Sequence, residues 1–261
     1  MNQCIVRCWL PVLTLGAVLV APGFGQQATT DDLKKEIGVL QQAVQGMQKD
    51  LQEIKAMVAT RPAPAGPPSP VGTEIDISDG RLRGEPTAKL TLVEFSDYQC
   101  GFCARYMRQT YPQLDAEYVK TGKLRVMLLD MPIDSIHKLA FKGAEAARCA
   151  GEQGKYWEMH DRLFAKQEAL EPWTSHAEAL GLDVAKFNAC LDSDKFAASI
   201  RGNVAEAQKA GVGGTPSFML ARTDPNSSKV RVLGFLVGAQ PFSVFKAQID
   251  GLLAKQPTGD H

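Results

Sequence analysis

The sequence predicts a mixed α/β domain that contains a block of helices and follows an N-terminal coiled-coil helix. Three observations support this fold class. Two apolar runs, at residues 90–95 and 124–130, have the length and composition of buried strands and flank a helical stretch at 101–120. A mostly helical segment at about 134–210 then precedes two further strands. Finally, an apolar heptad repeat runs unbroken through residues 31–59.

The composition is that of an ordinary globular protein and argues against several classes of function. Of the 261 residues, 44% are hydrophobic and 22% are charged, which excludes a fully disordered chain. Lysine plus arginine and aspartate plus glutamate number 29 each. A neutral chain without a basic block argues against a nucleic acid or an anionic membrane surface as the main partner. Six cysteines are enough for redox chemistry or a structural bridge.

Residues 1–25 have the pattern of a secretory signal peptide. Trp9–Ala21 is an almost wholly apolar run of 13 residues, preceded by the single charge of Arg7. Such a run is too short for a bilayer-spanning helix, which needs about 20 residues, but it suits the core of a signal peptide. The alternative is a buried N-terminal segment of the folded protein. We therefore expect an exported protein, periplasmic or secreted, whose mature form keeps four cysteines.

Residues 31–59 are predicted to form a coiled-coil oligomerisation helix. Apolar residues recur at alternating spacings of four and three, which aligns them in one stripe over about four heptads. Asp31 and Asp32 suit the beginning of the helix, as caps and as partners of its dipole. An apolar stripe of this kind favours a homo-oligomer; the alternative is a helix packed against its own domain. The stripe consists of Leu33, Ile37, Leu40, Val44, Met47, Leu51, Ile54 and Val58.

A proline-rich linker at residues 60–72 separates this helix from the working domain, residues 73–255. Five of the thirteen linker residues are proline, which favours extended polyproline-II chain. At about 3.1 Å per residue, such a chain spans roughly 40 Å. The linker is therefore predicted to hold the coiled coil away from the domain.

Within the working domain, alternating and continuous apolar runs predict five strands. The helical insertion at about 134–210 lies between the third and fourth strands and has breaks near Pro172 and Gly181. The predicted strands are 74–78, 90–95, 124–130, 217–222 and 230–237, and the helices outside the insertion are 101–120 and 242–254.

Cys100 and Cys103 form a Cys-x-x-Cys pair between the strand 90–95 and the helix 101–120. At a helix start, free backbone N–H groups and the helix dipole favour the thiolate of Cys100, whereas Cys103 lies one turn inside and is expected to be more buried. This asymmetry suits thiol–disulfide exchange, in which Cys100 attacks a disulfide and Cys103 resolves the mixed disulfide. The alternative, a structural zinc site, needs a second close pair of ligands that the sequence lacks, so no metal is expected.

Four segments carry a resemblance to a known family: VEFSDYQCGFCARY, GVGGTPSFML, AARCAGEQGKYWEMHDRLF and FNACLD. They are similar to segments of the DsbA-like family of exported thiol–disulfide oxidoreductases, which includes DsbA, DsbG and ScsC. The resemblance covers about residues 74–255 and implies a thioredoxin-like fold with an inserted helical domain. It also implies cysteine-containing client proteins and a membrane redox partner, either a DsbD-like donor or a DsbB-like acceptor. No phosphate loop or dinucleotide fingerprint occurs, so no cofactor is expected.

The resemblance implies roles for five residues. Cys100 is the nucleophile and Cys103 the resolving thiol, and the two form the redox-active disulfide. Pro216 is the cis-proline of the family's substrate loop, and Thr215 before it faces the dithiol and offers backbone to an extended client peptide. Glu94 matches a glutamate found in many relatives. Buried under the dithiol, it would have a raised pKa and carry protons for Cys103; the alternative is a solvated charge at a strand edge.

The direction of exchange is open between two interpretations. The strongest oxidants of the family carry Pro-His between the cysteines, whereas this chain carries Gly101-Phe102. Together with Thr215 and an oligomerising segment, this dipeptide favours a disulfide isomerase or reductase over a DsbA-like dithiol oxidase. Two other classes stay open: a protein that handles Cu(I) through Cys100 and Cys103, and a surface antigen with a vestigial dithiol.

The remaining cysteines and histidines receive structural interpretations. Cys149 and Cys190 are predicted to form a disulfide between two helices of the insertion, with two separate buried thiols as the alternative. His137, His160 and His176 are isolated in the sequence and are expected to be surface or capping residues. In proteins of the similar family, however, the region of His137 can approach the active site.

Overall fold

The computed structural model describes residues 29–60 and 69–255, which fall into two separate units. The predicted signal peptide and most of the predicted linker lie outside the described residues. Within the two described ranges, no helix is both long and apolar enough to cross a membrane.

Helix α1, Thr30–Thr60, forms the N-terminal unit. Its first turn is closed reciprocally: the Thr29 backbone N–H donates to the Asp32 carboxylate, and the Asp32 N–H donates to the Thr29 Oγ1. The predicted apolar stripe is exposed from Leu33 to Ile54. Because a single helix leaves this stripe in water, its burial in an assembly would be favourable.

A six-stranded sheet forms the centre of the second unit, and its strands are β1 Glu74–Asp76, β2 Arg81–Arg83, β3 Leu90–Ser96, β4 Leu124–Asp130, β5 Ser217–Arg222 and β6 Lys229–Val237. The strand order is β1-β6-β5-β3-β4-β2. Strands β3 and β4 are parallel, with Leu90 opposite Leu124, and the other pairs of this described sheet are antiparallel. The central strands β3 and β4 are buried along their whole length, which explains their nearly continuous apolar sequences.

The edge strand β2 was not predicted from the sequence. Its three residues, Arg81–Arg83, pair antiparallel with β4. Three residues with two arginines show no measurable alternation, and their strand conformation comes from the neighbouring edge. Strand β1 ends at Asp76, two residues before the predicted end, where the Asp76 carboxylate accepts the Ser78 N–H in a tight turn.

The predicted helix 101–120 is divided in the structure. Its break at Thr110 precedes Pro112, which has no N–H for the helical ladder and disfavours helical backbone before it. The pieces are α2 Gly101–Gln109, α3 Tyr111–Leu114 and a π-helical turn Asp115–Val119.

Five helices form the insertion between β4 and β5. The helical stretch is interrupted near Pro172, where the Glu171–Pro172 peptide bond is cis. It is interrupted again at Gly181, whose φ of +67° ends a helix. These are the two predicted breaks. The helices are α4 Ala140–Gly151, α5 Tyr156–Ala165, α6 Trp173–Ala179, α7 Val184–Asp192 and α8 Ala197–Lys209, and α9 Phe242–Ala254 follows β6.

A buried ionic cluster joins the insertion to the sheet. Arg148 in α4 is 1% exposed and donates to Asp130 at the end of β4, at 2.7 Å. It also donates to Asp79 at 2.8 Å and to Asn203 in α8 at 2.9 Å. The cluster holds α4 and α8 against β4, because the buried charges of Arg148 and Asp130 compensate each other in this arrangement.

A disulfide between Cys149 in α4 and Cys190 in α7 closes a chain segment with a sequence separation of 41. Removing it is expected to lower the free energy of unfolding by about 3–4 kcal/mol, because a loop of this length gains that much entropy in the unfolded chain. Urea denaturation of the Cys149→Ala/Cys190→Ala variant, with the Cys100–Cys103 pair alkylated in both proteins, measures the loss. An unchanged midpoint would contradict this prediction.

Candidate active site

The dithiol lies where β3 ends and α2 begins. Cys100 is the N-cap residue of α2 and has extended backbone, with φ −73° and ψ 116°. Both cysteines are free thiols; Cys100 is 5% exposed and Cys103 is 0% exposed. A disulfide that approaches this site therefore meets the sulfur of Cys100 first.

The two sulfurs have opposite pKa shifts. The Cys103 thiol donates a hydrogen bond to the Cys100 sulfur, and the backbone N–H groups of Cys103 and Phe102 add to it. These donors lower the pKa of Cys100 to about 6, against the opposing effect of burial. Burial, and then the neighbouring Cys100, raise the pKa of Cys103 well above its ordinary value. At neutral pH, Cys100 is therefore mostly a thiolate and Cys103 a thiol.

The loop before β5 faces this pair. The Thr215–Pro216 peptide bond is cis, and the Cys100 Sγ lies 3.3 Å from the Thr215 carbonyl oxygen, to which the protonated thiol donates. The Thr215 Oγ1 is buried without a hydrogen-bond partner, so it is available to donate to the Cys100 thiolate. The fold thus brings together four of the five residues to which the family resemblance assigns a role: Cys100, Cys103, Thr215 and Pro216.

Asp97 holds the loop before α2 in place, although it was not identified from the sequence. One carboxylate oxygen accepts the backbone N–H groups of Gln99 and Cys100, at 2.7 and 3.1 Å. The other is 2.8 Å from both the Ile133 N–H and the His137 Nδ1. Its Asx turn to Gln99 is local but not distinctive in sequence, and the contacts with Ile133 and His137, 36 and 40 positions away, depend on the fold.

Gln167 braces the same loop from the helical insertion. It belongs to a 3₁₀ turn, Gln167–Ala169, between α5 and α6. Its Nε2 donates to the carbonyl oxygens of Tyr98 and Cys100, both at 2.9 Å. No local pattern predicts this contact, because 67 positions separate Gln167 from Cys100 along the chain.

The expectation that the three histidines are surface or capping residues is wrong for His160, which is 1% exposed. His176 is 2% exposed and thus not a surface residue, but its Nε2 lies 3.1 and 3.0 Å from the carbonyl oxygens of Ala169 and Leu170, at the end of the 3₁₀ turn, as in a capping residue. His160 packs against Tyr98 and Phe164 in the core of the insertion, because its helix turns an otherwise apolar face inward. Desolvation lowers the pKa of both buried histidines. His137 is half-buried and bound to Asp97.

Glu94, in β3, is 2% exposed and is therefore not a solvated charge at a strand edge. Desolvation raises its pKa to about 7, although the charge of Arg83 acts in the opposite direction. Its Oε1 has no hydrogen-bond partner. Within the described part of the chain, Glu94 makes no hydrogen bond to either cysteine, so its role as a proton carrier stays a prediction.

The Glu94→Gln variant is expected to resist high pH better than the wild type. Because the folded pKa of about 7 exceeds the ordinary value of 4.5, wild-type stability is lost as the pH rises from 4.5 through 7. The loss amounts to about 3 kcal/mol at pH 8. Glutamine does not titrate. Urea denaturation at pH 5 and pH 8, in the disulfide form so that Cys100 does not titrate, measures the difference. Glu152→Gln, an exposed exchange, is the control, and equal pH dependence in all three proteins would contradict the prediction.

A groove of about 600 Å³ lies beside Cys100. Its walls combine exposed apolar side chains with two arginines of α2 and one histidine. An extended chain with apolar residues around its cysteine suits such a surface. The lining residues besides the backbone near Cys100 include Phe102, Ile133, Ile136, Arg105, Arg108 and His137.

The four cysteines in the described ranges form two separate pairs. Cys149 and Cys190 bond to each other, so they do not complete a four-thiol site with Cys100 and Cys103. Across residues 29–60 and 69–255, no group of three or more histidine, cysteine, aspartate or glutamate side chains is placed to hold a metal ion. The reduced dithiol itself offers two soft sulfur ligands.

Several known proteins and one protein-family model are similar to this chain. Residues 77–229 match a protein-family model described as thioredoxin. The Na(+)/H(+) antiporter NhaA 3 of Salinispora tropica is 34% identical over 148 residues, which cover 56% of this chain and 22% of the antiporter. BdbD from Bacillus subtilis, in its oxidised form, matches with a TM-score of 0.60 and 19% identity, over 72% of this chain and 100% of BdbD. The α-DsbA1 of Wolbachia pipientis matches with a TM-score of 0.59 and 22% identity, over 67% of this chain and 91% of its own.

The two solved structures, at these identities, show the fold. The antiporter match covers too little of that protein to carry its activity to this chain. The thioredoxin model covers more than half of the chain and includes both free cysteines and the cis-proline loop. The predicted fold, thioredoxin-like with inserted helices after an N-terminal helix, is confirmed. The chain belongs to the thioredoxin family, with the fold of its DsbA-like members.

Proposed function

We propose that this protein is an exported thiol–disulfide oxidoreductase that acts on cysteine-containing client proteins. The observation that carries the proposal is the pair of free sulfurs with opposite pKa shifts at the start of α2, against the cis-proline loop. The Cys100 thiolate attacks one sulfur of a client disulfide, and the other client sulfur leaves as a thiolate. Cys103 then loses its proton and attacks Cys100, which releases the reduced client and leaves the Cys100–Cys103 disulfide.

The client is an extended, incompletely folded chain. The groove beside Cys100 offers apolar contacts through Phe102 and Ile136, which are 58% and 68% exposed. The backbone of Thr215 borders the same groove, so a client segment gains main-chain hydrogen bonds there as an added strand does. Such contacts select an accessible chain rather than a particular sequence.

The isomerase or reductase direction is favoured by the degree to which Cys100 is activated. Its pKa of about 6 lies closer to the value of about 7 in thioredoxin than to the value of about 3.5 in DsbA. A less stabilised thiolate makes the disulfide form less oxidising. The dipeptide Gly101-Phe102 agrees, since it supplies no imidazole beside the sulfur. A membrane electron donor of the DsbD type would keep such a protein reduced.

A dithiol oxidase is the second candidate, because the pKa of Cys100 is still well below the ordinary value of 9.0 and the reduced form is stabilised to that extent. This direction would require a DsbB-like acceptor. Cu(I) handling by Cys100 and Cys103 is a third candidate. Metal retention by the reduced protein, abolished in Cys100→Ser, is its test.

Residues 31–59 are the proposed oligomerisation segment, separated from the domain by the linker. The exposed stripe of α1 gives this segment its partner surface, a second copy of the same helix. An assembly presents several dithiols to one client and raises their effective concentration, which favours isomerisation. Residues 1–25 are the proposed export signal. Export to an oxidising compartment would account for the structural disulfide Cys149–Cys190, which the protein has in addition to the reactive Cys100–Cys103 pair.

Substitutions in the heptad test the oligomer and the isomerase direction together. Val44→Lys/Leu51→Lys places two charges in the stripe, whereas the control Gln42→Lys/Gln45→Lys places two on the opposite face. We expect light scattering to show an oligomer for the wild type and the control and a monomer for the stripe variant. Reactivation of a scrambled-disulfide protein should fall in the stripe variant alone, while reduction of a simple disulfide continues in all three. A monomeric wild type, or equal reactivation by all three proteins, would contradict the assignment.

A further inference from the structure

The Asp97–His137 pair lies beside the dithiol but has no part in the exchange steps described above. The Asp97 side chain is 0% exposed and the His137 side chain 19%, and their Oδ2 and Nδ1 atoms are 2.8 Å apart. The Asp97 carboxylate also accepts three backbone N–H groups, and both of its oxygens act as acceptors. We therefore assign the shared hydrogen to the His137 Nδ1, which donates it to Asp97. In the neutral ring, the lone pair is then on Nε2.

The His137 side chain, which is 19% exposed, lies at the groove beside Cys100. His137 and Cys100 both line that groove. In the described part of the chain, the His137 Nε2 has no hydrogen-bond partner, and it is not sealed in the interior as the His160 Nε2 is. Asp97 therefore holds the ring in one tautomer and leaves its other nitrogen without an internal partner.

The other charged groups around this space do not replace the imidazole. Arg105 and Arg108 of α2 line the groove, and neither exchanges protons at ordinary pH. Asp134 and Lys138 flank His137 on its own loop, and the Lys138 ammonium is bound to the Asp134 carbonyl oxygen. Among the lining side chains other than Cys100, His137 is thus the one that can exchange protons.

We propose that His137 donates a proton to, and accepts a proton from, the client sulfur, and that Asp97 positions it. When the Cys100 thiolate attacks a client disulfide, a Cys100–client bond forms and the client S–S bond breaks. The displaced client sulfur takes the bonding electrons and receives a proton from Nε2 of the imidazolium form of His137, which is left neutral. In the reverse of this step, neutral His137 takes the proton of the client thiol, whose sulfur attacks the other client sulfur in the Cys100–client mixed disulfide. The client disulfide forms again, and Cys100 leaves as its thiolate.

The need for such a donor depends on the leaving sulfur. An alkyl thiol of ordinary pKa, about 8.5, is a poor leaving group as a thiolate, and protonation during departure accelerates the step. An acidic aromatic thiol leaves as a stable thiolate and needs no proton. A residue that merely shapes the loop would affect both kinds of leaving group alike. This difference separates proton transfer from a structural role.

The test compares the reduced full chain with its His137→Asn variant, in which the shorter side chain can still donate to Asp97 but has no second nitrogen that can exchange a proton. Asp134→Asn on the same loop is the control. Two probes are used at pH 7: oxidised glutathione, which releases an alkyl thiol, and 5,5′-dithiobis(2-nitrobenzoate), which releases an acidic aromatic thiol. We expect His137→Asn to react about a hundredfold more slowly with oxidised glutathione and at an unchanged rate with the aromatic disulfide. The control should react like the wild type with both.

Other outcomes would overturn the inference. Equal slowing with both probes would show that His137 only shapes the groove, and no slowing would show that it moves no proton. Absorbance of the thiolate at 240 nm, titrated in each protein, checks that Cys100 itself is unaltered. Since the inference rests on the proposed exchange function, a wild type inert towards both disulfides would overturn the two together. An active wild type with an unaffected variant would overturn this inference alone.

Discussion

Cys100→Ser is expected to lower the rate of reaction with oxidised glutathione by more than about a thousandfold. The serine hydroxyl is not ionised near neutral pH, and the Cys103 thiol that remains is 0% exposed, with a pKa raised well above its ordinary value. No other free thiol exists among the described residues, because Cys149 and Cys190 are bonded to each other. Stopped-flow kinetics of the reduced proteins measure the effect. In the wild type, the rate should rise with pH through about 6 and then level, following the pKa of Cys100.

Cys103→Ser is expected to separate attack from release. Cys100 remains to form a mixed disulfide with a client, but no neighbouring thiol displaces it, so the complex accumulates. Mass spectrometry after mixing with a disulfide-containing client should show this complex for Cys103→Ser and not for Cys100→Ser. The Cys149→Ala/Cys190→Ala variant should form the mixed disulfide and release the client as the wild type does. Full activity in Cys100→Ser, or the absence of a trapped complex in Cys103→Ser, would contradict the assigned roles.

Arg148→Met is expected to lower the free energy of unfolding by about 3–5 kcal/mol. Methionine has a similar length but leaves Asp130 buried without its cation, and one oxygen of that carboxylate already lacks a partner. Burial raises the pKa of Asp130, and the charge of Arg148 opposes that rise. Without Arg148, folding favours the protonated acid more strongly. The loss of stability should therefore be larger at pH 8 than at pH 5.

Urea denaturation at the two pH values measures this effect, with Lys155→Met as the matched control. Lys155 pairs with Glu158 at the surface, where both side chains are nearly half exposed, so its replacement should change the stability by less than about 1 kcal/mol. Arg148→Met as stable as Lys155→Met at both pH values would contradict the account of the buried cluster.

Local chemistry explains which parts of the fold were predictable. Strand β4 and helix α9 have the predicted bounds, because each is a long apolar or amphipathic run ended by polar or turn residues. Cys100 and Cys103 were identifiable because reactive cysteines at a helix start have a distinctive spacing. The cis-proline loop followed from a family resemblance rather than from any periodicity in the chain.

Tertiary contacts explain what the sequence did not reveal. Strand β2 depends on the edge of β4, and Gln167 reaches the active-site loop from a distant part of the chain. His160 is polar in sequence but buried by the aromatic core around it. Only part of the active site could likewise be predicted from the sequence. The sulfurs were visible in the sequence, whereas Asp97, which holds their loop, became visible only with its four donors in place.

The reduction potential of the Cys100–Cys103 pair tests the central claim most directly. The full chain is equilibrated with defined ratios of reduced and oxidised glutathione, the thiols are trapped, and the oxidised fraction is measured, with Cys103→Ala as the control that forms no intramolecular bond. We predict a reversible two-electron couple near about −200 mV, as expected for a reductase or isomerase. A couple near about −120 mV would contradict that direction and establish the oxidase instead. No reversible couple would contradict thiol–disulfide exchange altogether.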